Sequence, residues 1–169
     1  YGAKKNFEPL KVKENYFQDM HIAYIRNIGS YAGDSRLFLS LYKKLLNWAE
    51  PAGLVNYPVT RDVVIYHDSM GITEDDKLRI SVGITVPENT KVSGEIGSLC
   101  ISKGRYISCR FEVHNNEYGK AWTQIFRNIL PRRGLQPNDG YCFELYPPNC
   151  YNKVTKTTSV DICVPIKDL

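Results

Sequence analysis

The run GYCFELYPP, Gly140–Pro148, places one carboxylate, Glu144, among rings and aliphatic side chains in a segment that otherwise reads as a buried strand. Side chains alternate along a strand, so Tyr141, Phe143 and Leu145 share one face while Cys142, Glu144 and Tyr146 share the other. Glu144 is thereby kept apart from its most apolar neighbours. Eighty residues earlier stands a counterpart, DVVIY at Asp62–Tyr66, which also ends on tyrosine (146 − 66 = 80). The offset equates Glu144 with Val64, the pattern of one polar anchor in an otherwise apolar pocket.

Working outward, the same offset recurs with small drifts. Tyr31 and Tyr118 are 87 apart, Gly53-Leu54 and Gly134-Leu135 are 81 apart, and Val86-Pro87 and Val164-Pro165 are 78 apart. Each half reads as a strand, a turn carrying a tyrosine, a helix ended by Pro and then Gly-Leu, and two further strands. The helices rest on period: Asp34–Glu50 sets Leu37, Phe38, Leu41, Tyr42, Leu45, Leu46 and Ala49 on one stripe, with Asp34 as N-cap. Glu117–Leu130 does the same with Trp122, Ile125, Phe126, Ile129 and Leu130. The strands rest on alternation, in KLRISVGITV (77–86), RYISCRFEV (105–113) and TSVDICV (158–164). In the second of these Ile107, Cys109, Phe111 and Val113 face one way, and Tyr106, Ser108, Arg110 and Glu112 the other. An internal duplication is the simplest reading. One helix per half cannot cover a sheet alone, so the halves are expected to join in one α+β domain: a tandem strand-helix-strand-strand duplication, antiparallel, with two main helices and a central ligand groove at the seam. Repeat one is placed at about 10–90 and repeat two at about 98–167, the whole of 1–169 forming a single domain.

Composition narrows the chemistry. With 43% hydrophobic and 24% charged residues, the 169-residue chain has the make-up of an ordinary globular domain. No stretch approaches the roughly 20 apolar residues that cross a bilayer, and the start lacks a signal-peptide core, so a cytoplasmic location without membrane partners is expected. The five cysteines form no CxxC pair, and His21, His67 and His114 are isolated, so neither metal ligands, a cofactor site nor a catalytic triad is read. A net charge of +4, from scattered Lys and Arg, gives poor support for direct nucleic-acid binding.

The organisation resembles the GyrI-like, or bacterial transcription-activator effector-binding, family. The segments that carry the resemblance are MHIAYIRNIGSY, GRYISCRFEVHNNEYGKAW, FELY and VDICVPI, from about Leu10 to Ile166. It implies a pseudo-twofold module enclosing a groove for small, often cationic or amphipathic, effectors, with Glu144 at the position of the groove glutamate. It also implies a regulator of AraC type, in which YGAKKNFEPLKVKEN looks like a linker, residues 1–9 above all, from an N-terminal DNA-binding segment outside the chain. DNA would then be contacted only through that segment, and a homodimer is compatible with this plan. One departure stands at the second turn, where His114-Asn115-Asn116-Glu117-Tyr118 lacks the family's Gly and Pro.

A buried carboxylate calls for a countercharge, and rings add cation-π attraction. The expected ligand-binding residues are therefore Glu144, Tyr146, Trp122, Tyr106, Tyr31 and Phe126, with no catalytic residue. Three uses remain open from sequence: a non-catalytic sensor for multidrug-like cations, a hydrolase of small electrophiles with Glu144 as general base, and a gyrase-inhibitor-like protein-binding module.

Overall fold

In the computed structural model, which describes residues 7–69 and 72–169, ten strands build one antiparallel sheet. They are β1 (Lys11–Phe17), β2 (Met20–Ile28), β3 (Asp62–Tyr66), β4 (Arg79–Val86), β5 (Ile96–Ile101), β6 (Gly104–Val113), β7 (Leu135–Pro137), β8 (Cys142–Tyr146), β9 (Tyr151–Asn152) and β10 (Thr157–Asp168). Helix α1 spans Ser35–Ala49; α2 (Tyr118–Gln124) runs through a π-helical stretch, Ile125–Ile129, into the short α3 (Leu130–Arg132).

The main path of the sheet is β1-β6-β10-β8-β3-β4-β2-β5, with β7 and β9 added to β10. This order is the same read from either end once the halves are exchanged, and its centre is the β3–β8 pair. There Val64 lies directly opposite Glu144, and Asp62 opposite Tyr146. Val64 and Glu144, which the offset of 80 equates, thus face each other across the pseudo-twofold axis.

Chain geometry forces the sheet to roll. Only Gln18 and Asp19 separate β1 from β2, a reach of about 10 Å, yet the two strands stand six places apart, roughly 29 Å in a flat sheet. The edges therefore curl toward each other. Inside the roll lie Ile22, Val63, Ile65, Ile101, Tyr106, Phe143, Leu145 and Cys163, joined by Phe17 and Met20 from the strand ends. On the outer face, α1 lays Leu41, Leu45 and Ala49 over Val64, Ile80, Val82 and Ile84. There α2 and its continuation lay Ala121, Ile125, Ile129 and Leu130 over Ile107, Cys109, Phe111 and Ile162. Each helix covers its own half, and the seam between them runs over β3 and β8.

The helix ends follow their sequence signals. Asp34 accepts from the Leu37 backbone N–H at 3.0 Å, and Gly53 and Gly134, at φ of 72° and 67°, supply the left-handed residue after each helix. The amino-terminal reading needs correction. Lys11–Phe17, which begins inside the run taken for a linker, is an edge strand paired along its length with β6. Phe7, within the expected 1–9 linker, stacks on Phe111 with ring centroids 5.7 Å apart; residues 1–6 of that linker lie outside the described residues. KVKENYF hides its strand because edges are protected by charge and carry no apolar alternation.

Candidate functional site

Glu144 is fully buried at the seam, at the middle of β8. Alternation turns it outward with Tyr146, and from the neighbouring strand β3 it turns Tyr66 to the same face as Val64. Both hydroxyls donate to one carboxylate oxygen: Tyr66 at 2.9 Å and Tyr146 at 2.7 Å to Oε1. From above, α2 delivers Trp122, whose indole N–H donates to Oε2 at 2.8 Å. All three donors are neutral. None of the ion pairs among the described residues involves Glu144, and Arg110 is taken by Asp161.

Burial raises the Glu144 pKa above its ordinary 4.5, while the bonds from Tyr146, Trp122 and Tyr66 hold it back. The same burial, with the Glu144 charge close by, pushes Tyr66 and Tyr146 well above the usual tyrosine range, so both stay protonated as donors. The carboxylate therefore sits in a box of neutral hydrogen bonds and rings, its charge softened but not cancelled.

The rings form a continuous wall. Tyr66 meets Trp122 edge-on at 5.4 Å and Tyr31 at 5.6 Å; Tyr31 meets Phe38 at 6.4 Å; Phe126 stacks on Trp122 at 6.3 Å. Tyr31 is buried on the turn before α1, and Phe126 is exposed at the outer end of the row. The π-helical stretch begins at Ile125, between Trp122 of α2 and Phe126, a distortion that recurs at functional sites. The rims touch as well: Asn115 of the second turn donates to the Gly33 carbonyl of the first at 3.2 Å.

Five of the six expected residues are thus brought together: Glu144, Tyr146, Trp122, Tyr31 and Phe126. Tyr106 is not among them. It points into the roll, packs on Phe17 and Phe143, and donates to the Ser102 carbonyl at 2.7 Å. The reason is alternation: α2 covers the Ile107 face of β6, and Tyr106 belongs to the other. Sequence reasoning overlooked three residues. Tyr66 was visible, since it shares a face with Val64 and is the counterpart of Tyr146. Tyr118, whose hydroxyl lies 3.4 Å from that of Tyr146, was visible only as the counterpart of Tyr31. Tyr42 on α1 has a buried hydroxyl without a partner among the described residues, its pKa raised first by burial and then by nearby Asp62. Nothing in a helical stripe marks it as polar.

A family model described as the GyrI-like small molecule binding domain matches residues 10–167. The chain belongs to this family. Among relatives, the DNA gyrase inhibitor 2 of Dickeya dadantii (strain 3937) is 29% identical over 108 residues. That alignment takes in 62% of this chain and 66% of the relative, just under two thirds of its length. Among solved structures, the C-terminal domain of EcmrR superposes with a TM-score of 0.70 at 13% identity, covering 94% of this chain and 98% of that one. SAV2435 bound to tetraphenylphosphonium gives 0.58 at 11% identity, covering 94% of each chain. At these identities the likeness is one of fold. As a GyrI-like domain the chain is a small-molecule binding module, and no helix among its described residues is long and apolar enough to cross a membrane.

Proposed function

We propose that this GyrI-like domain binds a lipophilic cation at the seam, non-catalytically, as the effector-sensing part of a transcriptional regulator of AraC type. The observation that carries the reading is the fully buried Glu144 with three neutral donors and no cationic partner among the described residues. An ionised carboxylate in such a place costs several kcal/mol that a bound cation would offset. The aromatic wall would add on the order of 0.5–2 kcal/mol per ring in contact. That SAV2435, of the same fold, was solved with tetraphenylphosphonium supports this choice of charge and shape.

Glu144 is closed off, so a ligand reaches it only when the Trp122 or Tyr66 side chain gives way. Binding is then tied to a displacement of one of these side chains and of the element that carries it, and a ligand that prefers the displaced arrangement shifts the population toward it. Such a shift is what a DNA-binding segment joined to the domain would read; the likeness to EcmrR is in keeping with this role. Calorimetric titration with tetraphenylphosphonium tests the proposal. Saturable one-to-one binding, weakened on the order of tenfold or more in Glu144→Gln, is expected; equal affinity in the two proteins would overturn the anchoring role.

The likeness to a DNA gyrase inhibitor favours a second reading, a protein-binding module acting on gyrase. Supercoiling by purified gyrase in the presence of this chain checks it. Inhibition that survives Glu144→Gln would assign that activity to a surface other than the seam.

A further inference from the structure

The sheet face turned away from the helices carries a second, differently charged site. A recess of about 250 Å³ opens there, lined by Lys11, Lys13, Arg61, Ser108, Arg110 and Asp161 and floored by Phe17 and Leu145. The register explains the cluster. Lys11 on β1 lies opposite Arg110 on β6, Arg110 opposite Asp161 on β10, and Asp161 opposite Leu145 on β8. Lys13 lies opposite Ser108, two residues along.

The charges do not cancel. Arg110 donates to both oxygens of Asp161, from Nε to Oδ1 and from Nη2 to Oδ2 at 2.8 Å, which commits the one carboxylate in the recess. Lys11, Lys13 and Arg61 form no ion pair among the described residues. The Arg61 Nε–H is buried with no acceptor among the described residues, an unusual state for a guanidinium donor. Lys13 lowers the Lys11 pKa, first by hydrogen bonding between the two side chains and then by repulsion of like charges. An anion entering the recess would supply the missing acceptor and separate the cations.

The other half of the molecule shows that the space is particular to this one. Gly83 lies opposite both Val63 and Tyr24, and Cys163 opposite both Phe143 and Ser108. Since 63 + 80 = 143, Ser108 occupies the place that Tyr24 has in the first half. Tyr24 fills its place: its ring crosses Gly97, where a Cβ would come within 2.6 Å of Cζ, and Arg26 caps the ring at 5.1 Å. In the second half Tyr24 is replaced by a serine, Gly97 by Lys13 and Arg26 by Arg110. The ring is gone and cations border the space it leaves.

The geometry points to a binding site for a small organic anion, with a phosphate or carboxylate group held by Arg61, Lys13 and Lys11 and an apolar body resting on Phe17 and Leu145. A recess with an apolar floor suits such a molecule better than a duplex backbone, which calls for an open basic surface. The site lies on the opposite sheet face from Glu144, so it stands or falls independently of the seam.

Titration of the ¹⁵N-labelled chain with phenyl phosphate, inorganic phosphate and a short DNA duplex tests it. Saturable shifts at residues 11–13, 61 and 108–110 are expected with phenyl phosphate at low-millimolar concentration, and weaker ones with inorganic phosphate. Arg61→Gln should weaken phenyl phosphate on the order of tenfold, as loss of a charged hydrogen bond does. Lys13→Gln, on an exposed edge and neutral to folding, should weaken it severalfold, while Glu144→Gln leaves it unchanged. Absence of saturable shifts would overturn the assignment. So would equal affinity in wild type and Lys13→Gln, or saturation by the duplex alone.

Discussion

At the residue scale, the chemistry of the seam rests on one carboxylate and the donors that hold it. Trp122→Phe keeps an aromatic ring but removes the indole N–H, so Glu144 loses its only bond at Oε2 among the described residues. A cost of about 1–3 kcal/mol is expected in urea unfolding, because a buried acceptor is left unmet. The Glu144 pKa should rise further, which carboxyl NMR titration would detect. Glu144 itself titrates with a definite sign. Its folded pKa is raised above the ordinary 4.5, so its protonated form favours the fold, and that contribution is lost as pH climbs from about 4.5 through the folded value. Relative to Glu144→Gln, the wild type should therefore lose stability over that rise, in melts taken from pH 4 upward. The anchor was legible in the sequence because a charge at an outward position of an apolar strand is rare, and because its counterpart is a valine. The full donor set was not: Tyr66 needed its counterpart to be taken seriously, and Tyr42 is polar only at a hydroxyl that tertiary packing buries. Tyr106 was misplaced although the alternation of β6 already put it on the face away from Ile107.

At the scale of elements, the offset of 80 was the sequence feature with the greatest reach. It equated Val64 with Glu144, and these central residues of β3 and β8 meet at the pseudo-twofold axis. What it could not supply was the exchange by which β1 joins the second half and β5 the first, because an edge strand of KVKENYF composition has no period to detect. The neighbouring strands β2 and β4 depend on a glycine in the same way. At Gly83 a Cβ would stand 2.6 Å from Ile22 Cγ2 and 2.8 Å from the Ala23 carbonyl oxygen. Gly83→Ala should destabilise the fold by about 1–3 kcal/mol, read as a lower urea midpoint at unchanged slope. The contact between the two rims is lighter. Asn115→Ala removes the Asn115–Gly33 bond with little expected loss of stability, roughly 1 kcal/mol or less. Stopped-flow binding of a lipophilic cation should show faster entry in this variant if the rims part when ligand enters.

At the scale of the whole molecule, opposing titrations shape acid stability. His67, desolvated and beside Arg26 and Arg79, has its pKa pushed down to about 4 and stays neutral, with Nε2 2.7 Å from the Ser81 hydroxyl. A depressed histidine favours the fold fully above its ordinary 6.5 and loses that contribution as pH falls from about 6.5 to 4. His67→Gln should thus flatten the fall in melting temperature across that interval. The two faces of the rolled sheet divide the charge: an acidic centre under the helices and a basic recess on the side they leave bare. The central claim is that Glu144 serves as the countercharge for a bound cation. Its most direct test is the affinity of a phosphonium cation, whose charge is independent of pH, measured by calorimetry for wild type and Glu144→Gln across pH 4 to 8. The wild-type advantage should grow as pH rises through the folded pKa of Glu144 and then level off; a ratio of affinities near one at every pH would contradict the claim.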